Sequence, residues 1–381
     1  MKRCAVTPRA NWQRVVEAQG LLFHTADDVR YWDESAYYAF TADEIERIER
    51  ATGQLSEMCI QAVAHVIEKK RYRELGVPAI AIPLIEDSWE RETPALYDRF
   101  DLVFDGNGEP QMLEYNADTP TSLLEAAVIQ WYWFEDTRRG SDQYNSLHER
   151  LVEKWRSLKQ GGYLFPGPVH FATTEESLED RLTVSYLMDT ALRAGLDVVE
   201  IPMTQIGYDT AQAMFVDLSL APMCNVFKLY PWEWMCQEDF ARHLRGVQHR
   251  MHWMEPAWNL LLANKGLLAI LWELFPGHPN LLPAYLGSPR ELRSYAKKPL
   301  FSREGANVTL VQDARTVEQT DGDYGEEGHV YQALRLLPEF DGMHPVLGSW
   351  LIDGEPAGMG IRESKALVTD DRSRFVPHVI E

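Results

Sequence analysis

The chain has 381 residues, of which 45% are hydrophobic and 25% are charged, and these proportions are ordinary for a globular protein. Its length exceeds the usual size of a single core, so a large unit with several lobes is expected. The formal net charge of -21 argues against sequence-independent binding of nucleic acid and against binding to an anionic membrane, because both need clustered cationic groups.

The four cysteines form no CxxC pair and show no zinc-like spacing with histidine, so a disulfide framework is not expected. The first residues lack the apolar segment of a signal peptide, and no run of about 18 apolar residues is present to span a bilayer. These observations predict a cytoplasmic protein.

A capping box predicts the first long helix. Thr41 takes the N-cap position and Glu44 the third helical position, and apolar residues then recur at helical spacing from Ile45 to Val66. A β-hairpin follows, in which two strand-like runs, 99–104 and 111–116, flank the turn sequence Asp-Gly-Asn-Gly at 105–108.

The middle of the chain alternates between helical and extended patterns, which implies an α/β layered core. The predicted helices and strands here are 122–133, 142–158, 169–172, 183–194 and 197–201. The later part reads as one helix followed by a strand-rich lobe with Gly-rich turns. Its predicted elements are a helix over 256–274 and strands over 295–300, 308–311, 330–337 and 350–352.

The hairpin carries the first candidate site. Period-two alternation puts Arg99 and Asp101 on one face of their strand, and Glu114 and Asn116 on one face of the partner strand. If the two faces coincide, two carboxylates and an amide offer the hard oxygen ligands that Mg²⁺ prefers, beside a guanidinium that can hold a carboxylate or a phosphate. The alternative is an amphipathic hairpin with a solvated polar face.

Two lysines form the second candidate. Lys265 and Lys298 can clamp nucleotide phosphates, and the loop after Lys298 contains Gly305, whose backbone N–H groups can add an anion cradle. Ordinary surface lysines are the alternative, since neither GxxxxGK[ST] nor GxGxxG occurs in the chain. The apolar run 330–337 can border an adenine ring or can be a plain buried strand.

Taken together in chain order, these segments resemble the synthetase domain of glutathionylspermidine synthases and their single-domain bacterial relatives. The resemblance extends over nearly the whole chain. The matching stretches are RFDLVFDGNGEPQMLEYNADTPTS, NLLLANKGLLAILWELFPGHPNLLPAYL, YAKKPLFSREGANV, VYQALRLLPEF and GSWLIDGEPAGMGIRESKALVTDDRSRFVPHVI.

The resemblance implies a mixed α/β fold, an ATP-grasp with permuted segment order behind a pre-ATP-grasp α/β region. It implies a substrate and metal region over 1–255, a nucleotide-clamping lobe with a lid loop over 256–340, and C-terminal strands over 341–381 that return to the active site. It also implies an ATP-dependent ligase that joins a peptide-like acid, such as glutathione, to a small amine through an acyl phosphate.

The resemblance further assigns residues to roles. Asp101, Glu114 and Asn116 would hold Mg²⁺, with two ions expected, and Arg99 would be catalytic and contact ATP or the activated carboxyl group. The implied ATP contacts are Arg99, Lys265, Lys298, Gly305, Gln332, Ala333, Leu334, Arg335, Leu367, Val368 and Thr369. The implied substrate contacts are Thr119, Thr121, Glu179, Asp180, Thr183 and Arg374.

Two departures from the family pattern bear on the substrate. Relatives that use polyamines are often fused to an amidase domain, and at 381 residues no such domain is expected beside the synthetase part in this chain. Where a polyamine-binding acid would align, this sequence has Arg374, which would repel a polyamine and attract a carboxylate. The amine is therefore expected to differ from spermidine and to be able to carry an acid group, unless Arg374 is a surface residue.

The expected partners are small acid and amine substrates, with a homodimer left open. The rival hypothesis is a nucleotide-binding interaction protein of the same fold that has lost catalysis.

Overall fold

The computed structural model describes residues 1–26, 29–370 and 373–381, with helices and sheets of both parallel and antiparallel kinds. The helices are α1 (Trp12–Ala18), α2 (Ala42–Lys69), α3 (Ile82–Glu90), α4 (Gln130–Thr137), α5 (Leu147–Gln160), α6 (Leu178–Arg193), α7 (Trp232–Met235), α8 (Ala241–Val247), α9 (Asn259–Ala263) and α10 (Leu267–Leu274). A π-helical turn, Glu125–Ile129, precedes α4, and short 3₁₀ turns occupy Arg73–Leu75 and Met203–Gln205.

The strands, in chain order, are β1 (Lys2–Ala5), β2 (Thr25–Ala26), β3 (Val29–Arg30), β4 (Ala36–Phe40), β5 (Tyr97–Val103), β6 (Gln111–Asn116), β7 (Val169–Thr173), β8 (Val198–Pro202), β9 (Gly207–Asp209), β10 (Met214–Val216), β11 (Asn225–Leu229), β12 (His252–Met254), β13 (Ala284–Leu286), β14 (Tyr295–Pro299), β15 (Thr309–Gln312), β16 (Arg315–Gln319), β17 (His329–Ala333), β18 (His344–Ile352), β19 (Glu355–Ser364), β20 (Arg374–Val376) and β21 (His378–Ile380).

Within the described residues, two five-stranded antiparallel sheets position the candidate site. The first, which we call the acid sheet, has the order β20-β19-β18-β5-β6, and the second, the lysine sheet, has the order β13-β17-β14-β15-β16. A four-stranded parallel sheet has the order β12-β11-β7-β8, and β1, β4 and β21 form a smaller one. This mixture confirms the predicted α/β layering.

The local predictions at the start of the chain are confirmed. Helix α2 begins behind Thr41, whose hydroxyl accepts from the Glu44 N–H while the Glu44 carboxylate accepts from the Thr41 N–H. Its apolar side packs against β18 and β19 of the acid sheet, because residues at helical spacing lie on one face. The predicted hairpin is β5–β6.

The prediction of one helix over 256–274 is wrong, because the chain breaks between α9 and α10. Asn264 accepts from the Gly266 N–H at 2.8 Å and donates its amide to the Leu75 carbonyl at 2.7 Å. The Lys265 N–H donates to the Leu300 carbonyl at 2.9 Å. Backbone and side-chain hydrogen bonds to other segments thus replace the helical ladder at Lys265.

Other boundaries differ for similar reasons. The helix predicted over 142–158 begins only at Leu147, because Asp142 and Asn145 form bridges to Ile380 and Gly358. The strand predicted over 330–337 ends at Ala333. None of the helices in the described ranges has both the length and the apolar character needed to cross a bilayer.

Candidate active site

The hairpin register brings the predicted oxygen ligands together. Asp101 lies directly opposite Glu114, and Arg99 lies directly opposite Asn116. Directly opposed residues of an antiparallel pair project from the same face of the sheet, so all four side chains share one face. The condition on which the sequence argument depended, that the two polar faces coincide, is therefore met.

Arg99 is held on this face by a set of fixed contacts. Its Nε donates to Oδ1 of Asp101 at 2.8 Å, and its Nη1 donates to the Thr121 carbonyl at 2.7 Å. Its guanidinium lies over the Trp350 ring, 5.4 Å from the centroid. Gly348, opposite Asp101 on β18, leaves room for this side chain, since a Cβ there would lie 2.8 Å from Cδ of Arg99.

Arg362 is a second guanidinium at the site, and the sequence argument gave it no role. It donates to Oδ2 of Asp101 at 2.8 Å from β19, two strands away from β5. No local pattern marks Arg362, because Gly358 and Gly360, which alternate with it along β19, make room for Leu147 and Phe375 and not for its side chain.

Both predicted lysines reach this face from outside the acid sheet. Lys265 Nζ lies 3.2 Å from Oε2 of Glu114 and donates to the Ser302 carbonyl at 2.7 Å. Lys298 Nζ donates to the Leu113 carbonyl at 2.8 Å and to Oε1 of Gln332 at 2.9 Å. The structure therefore places both ammonium groups beside the hairpin acids, with Lys298 in one cleft and Lys265 in an adjoining one.

The charges of this cluster shift one another's proton affinities. Burial lowers the pKa of Lys298 to about 8, although Glu114 opposes the change. Burial also disfavours the charged form of Glu114, but the nearby ammonium groups, Lys265 first, outweigh it and hold the pKa of Glu114 well below its ordinary value. Glu114 is thus ionised across the physiological range.

A cleft between the two sheets contains most of the residues predicted to bind ATP. Its polar end has Asp101, Glu114 and Lys298, and its apolar walls have alanine, valine and leucine side chains. The predicted contacts that line it are Lys298, Gly305, Gln332, Ala333, Leu334, Arg335, Leu367, Val368 and Thr369. Gln332 is fixed by donating to the Met112 carbonyl at 2.9 Å.

The loop after β14 folds against the far wall of this cleft. Gly305 has φ +70°, and a Cβ there would lie 2.7 Å from the Thr369 carbonyl oxygen and 2.8 Å from Cγ1 of Val368. Glu318 holds the opposing segment by accepting from the N–H groups of Leu367 and Val368 at 3.0 and 2.9 Å. Only glycine permits both this backbone and this close approach.

Arg303 extends from the same loop over a second, smaller cleft, and the sequence argument gave it no role either. It donates to Oγ1 of Thr119 and, at 2.7 Å, to Oε1 of Glu233. This cleft is also bordered by Asn116 and Lys265, so it adjoins the oxygen ligands. Thr119 lies in it, whereas Thr121 meets Arg99 through its backbone carbonyl.

The loop between the hairpin and the small cleft rests on a buried ion pair. Lys228 Nζ lies 2.6 Å from Oδ1 of Asp118, and neither side chain is exposed. Oδ2 of Asp118 accepts from the Trp232 N–H at 2.8 Å, and the Lys228 ammonium lies 4.8 Å from the centre of the Trp232 ring. The pair anchors the segment that presents Asn116 and Thr119.

The predicted substrate acids, Glu179 and Asp180, lie in the first turn of helix α6. Ser177 caps the helix by accepting from the Asp180 N–H, and Thr183 is buried one turn later. Burial and the neighbouring Glu179 raise the pKa of Asp180 to about 6. Glu179 also stabilises the charged guanidinium of Arg99, which places it beside the site.

Arg374 is engaged elsewhere. Its Nη1 lies 3.0 Å from Oδ2 of the buried Asp33. Arg374 is opposite Glu363 in the β19–β20 register, so its side chain projects from the sheet face opposite to that of Arg362. Its predicted contact with a substrate stays a prediction.

A family model described as "Glutathionylspermidine synthase preATP-grasp" matches residues 3–381. The chain belongs to the glutathionylspermidine synthase family. This membership confirms the resemblance on which the sequence argument drew, and it makes the protein an ATP-dependent ligase that forms carbon–nitrogen bonds.

Among the relatives of this glutathionylspermidine synthase family member, a putative acid–amine ligase from Haemophilus influenzae is 42% identical over 368 residues. The match covers 93% of this chain and 92% of that protein. A trypanothione synthetase from Crithidia fasciculata is 29% identical over 354 residues, and the match covers 84% of this chain but only 53% of the relative.

A solved structure of a glutathione synthetase-like effector from Globodera pallida superposes with a TM-score of 0.57 over 99% of this chain and 100% of the other. At 12% identity, this likeness shows the fold alone. It agrees with an ATP-grasp-type fold for this family member.

Proposed function

We propose that the protein activates the carboxyl group of a peptide-like acid with ATP, as an acyl phosphate, and then joins it to a small amine. One observation carries the proposal: the ammonium groups of Lys265 and Lys298 converge on the hairpin carboxylates, with Lys265 3.2 Å from Glu114 and Lys298 beside Asp101 and Glu114 in the larger cleft. Such a mixed set suits a nucleotide triphosphate, which needs both cationic groups and a metal-binding edge.

The chemistry of amide formation explains why the metal-binding carboxylates and the ammonium groups must lie close together. A carboxylate is a poor electrophile because the group that leaves would be oxide. Transfer of the γ-phosphoryl group to one of its oxygens makes phosphate the leaving group, and an amine can then attack the carbonyl carbon. Cationic groups that are already in place stabilise the charge that spreads over the oxygens during transfer.

The phosphates of ATP would lie against Lys265 and Lys298, and the Gly305 loop would cover them. The adenine would lie between residues 332–335, at and just beyond the end of β17, and the segment 367–369, where the cleft walls are apolar. In this scheme residues 256–340 form the nucleotide-clamping lobe, and the backbone groups beyond Ala333 meet the edge of the base.

Asp101, Glu114 and Asn116 fit Mg²⁺, because two carboxylates and an amide oxygen on one face are hard ligands with lone pairs to spare. When bound, Mg²⁺ would neutralise charge on the phosphate oxygens, and we propose that two ions take part. Lys265 would then contact phosphate as well as Glu114.

The acid would bind between the guanidinium groups of Arg99 and Arg362, which can grip a carboxylate or an acyl phosphate in two-pronged fashion. Thr119 borders the small cleft beside them. Arg303 from the lid loop closes over this region through Thr119, which would keep water from hydrolysing the activated acid. The amine would approach from the side of Glu179 and Asp180.

Release of ADP with Mg²⁺ tests the proposal, with glutathione, other small peptides and a panel of amines as substrates and hydroxylamine as a trap for the acyl phosphate. Lys298→Met should abolish ADP release. Lys297→Met is the matched control, because Lys297 projects from the opposite face of the same strand. If ATP binds but no acid in the panel yields ADP or hydroxamate, the rival hypothesis of an inactive nucleotide-binding protein is favoured.

A further inference from the structure

A buried carboxyl group beside Arg99 has no role in the scheme above. Glu125 is only 1% exposed, and its Oε1 has no hydrogen-bond partner among the described residues. A buried carboxyl oxygen without a partner is costly to a fold, and a catalytic role is one explanation for it.

The position of Glu125 follows from the start of its helix. Arg99 Nη1 donates to Oγ of Ser122 at 3.3 Å, and Ser122 itself has φ +64°. The Ala126 N–H donates to the Ser122 carbonyl, so the helix begins there. Residues three apart share a helix face, which puts Glu125 on the side of Ser122 and Arg99. Glu125 also opens the π-helical turn, a distortion often found at functional sites.

The groups that face Glu125 come from separate elements. The hydroxyl of the buried Tyr31 interacts with its carboxyl group, Glu179 from α6 repels its negative charge, and Arg99 from β5 attracts it. Arg362 from β19 acts on Tyr31 in turn. The charge of the site therefore changes from cationic at the lysines to acidic at Glu125 and Glu179, with the two arginines between.

We propose that Glu125 is the general base that accepts a proton from the ammonium group of the amine substrate. The proposal rests on the proposed function and adds a catalytic residue to it. An amine arrives as R–NH₃⁺, which has no lone pair, whereas an acyl phosphate held by the arginines must meet R–NH₂. Glu125 lies beside Arg99 and Glu179, on the side of the site from which the amine would approach in the proposed function.

The proton balance is complete without another reactant. One proton passes from R–NH₃⁺ to the Glu125 carboxylate, and the amine lone pair then forms the C–N bond. The C–O bond to phosphate breaks, and the second proton leaves the nitrogen with the departing group, which becomes HPO₄²⁻. Glu125 passes its proton to solvent by way of the half-buried Glu179.

The acidity of Glu125 suits this role. Burial, followed by repulsion from Glu179, raises its pKa to about 8. A carboxylate with so high a pKa is a far better proton acceptor for an alkylammonium group than an ordinary glutamate. An approaching ammonium also favours the ionised carboxylate, so binding of the substrate creates the base that it needs.

The test compares two nucleophiles on the same acyl phosphate, with Glu125→Gln and Glu125→Asp. Hydroxylamine is largely unprotonated at neutral pH and needs no base, whereas spermidine, 1,4-diaminobutane and n-propylamine do. With ATP, Mg²⁺ and glutathione or another peptide acid, Glu125→Gln should form hydroxamate within about twofold of the unaltered protein. It should form amide about 100-fold more slowly, within the range of general-base catalysis.

The pH profile separates catalysis from a structural role. Amide formation by the unaltered protein should rise with pH along a limb that levels off near about 8, once Glu125 is ionised. Glu125→Gln should lose this limb, because its slower rate should instead keep rising with the fraction of free amine, and Glu125→Asp should restore part of the rate. Glu44→Gln, which alters another buried glutamate at the remote start of α2, is the matched control and should keep the limb.

Three outcomes would overturn the proposal, and they can be told apart. Equal losses of hydroxamate and amide in Glu125→Gln would show that the residue only supports the site. An unchanged rate and pH profile of amide formation would show that Glu125 takes no part in catalysis. Absence of hydroxamate with every acid in the unaltered protein would contradict the proposed function itself, and the proposal would fail with it.

Discussion

Lys265 and Glu114 are 3.2 Å apart, although 150 residues separate them in the chain. The lysine lies at the break between two helices, and the glutamate lies on the edge strand of the acid sheet. Both side chains are half-buried, and each charge reduces the free-energy cost of burying the other. This contact links the larger cleft, which Glu114 lines, to the smaller cleft, which Lys265 lines, and in the proposed function a phosphate with its metal ion would insert here.

ATP affinity should fall as the pH rises through about 8. Burial lowers the pKa of Lys298 to about 8 from its ordinary 10.5, and only the protonated ammonium attracts phosphate. ATP binding should therefore take up a proton near pH 8, because the bound phosphates favour the charged form. Calorimetry in buffers with different ionisation enthalpies would measure this uptake.

Lys298→Met should remove the proton uptake and weaken ATP binding at every pH, whereas Lys297→Met should retain both properties of the unaltered protein. An affinity that stays constant between about pH 7 and 9 would contradict the assignment of Lys298 to the phosphates.

Gly305→Ala should impair closure of the lid loop. The added Cβ would lie within 2.8 Å of Val368 and of the Thr369 backbone, and the left-handed backbone adds a cost of about 1 kcal/mol. We expect ATP affinity to fall about tenfold or more, as measured by equilibrium binding, since overpacking of this kind costs about 1–3 kcal/mol.

Gly287→Ala is the control for the lid variant. Gly287 has φ +75°, and nothing lies within 4 Å of a Cβ there. Gly287→Ala therefore has the cost of the left-handed backbone without a steric clash. If the two variants bind ATP equally well, the contact between the loop and residues 368–369 has no part in binding.

Gly348→Ala should displace Arg99 while the fold persists. A Cβ at this position would lie 2.8 Å from Cδ of Arg99, which is itself confined between Asp101 and the Trp350 ring. We expect kcat for ADP release to fall about 10-fold to 100-fold, because shifts of a catalytic group by about 1 Å have effects of this size.

Ser349→Ala is the companion to Gly348→Ala. Ser349 projects from the opposite face of β18, where its hydroxyl bonds Oγ1 of Thr52 at 2.7 Å. It should lower the free energy of unfolding by about 1 kcal/mol and leave kcat unchanged. Equal kcat values for Gly348→Ala and Ser349→Ala would contradict the expected clash between a Cβ at position 348 and Arg99.

Asp118→Asn and Lys228→Met should each destabilise the protein strongly. The two charges are 2.6 Å apart and fully buried, so the loss of one leaves the other without its partner, at a cost of about 3–5 kcal/mol. The double variant should be more stable than the sum of the single losses predicts. Urea unfolding would measure the coupling, and strict additivity would show that the pair is not an energetic unit.

The site residues predicted from residue patterns were those on which local geometry acts, whereas the adenine and substrate contacts were implied by the resemblance to the family. A turn sequence between two strand-like runs determines a hairpin, and the two-residue period of a strand then puts Asp101 and Arg99 on one face of the first strand and Glu114 and Asn116 on one face of the second. The cap at Thr41 and the glycine at 305 are similar, because each meets a requirement of a few neighbouring backbone groups.

Tertiary structure decided everything that depends on which strands are neighbours. Arg362 reaches Asp101 only because β19, β18 and β5 are adjacent, and Glu125 meets Tyr31 and Glu179 only where three separate segments pack together. The break at Lys265 likewise depends on carbonyl groups of Leu75 and Leu300. Hydrogen bonds and burial between distant segments leave no periodicity in the chain, so the sequence alone determined the chemistry of the hairpin, and the packing of the segments determined what surrounds it.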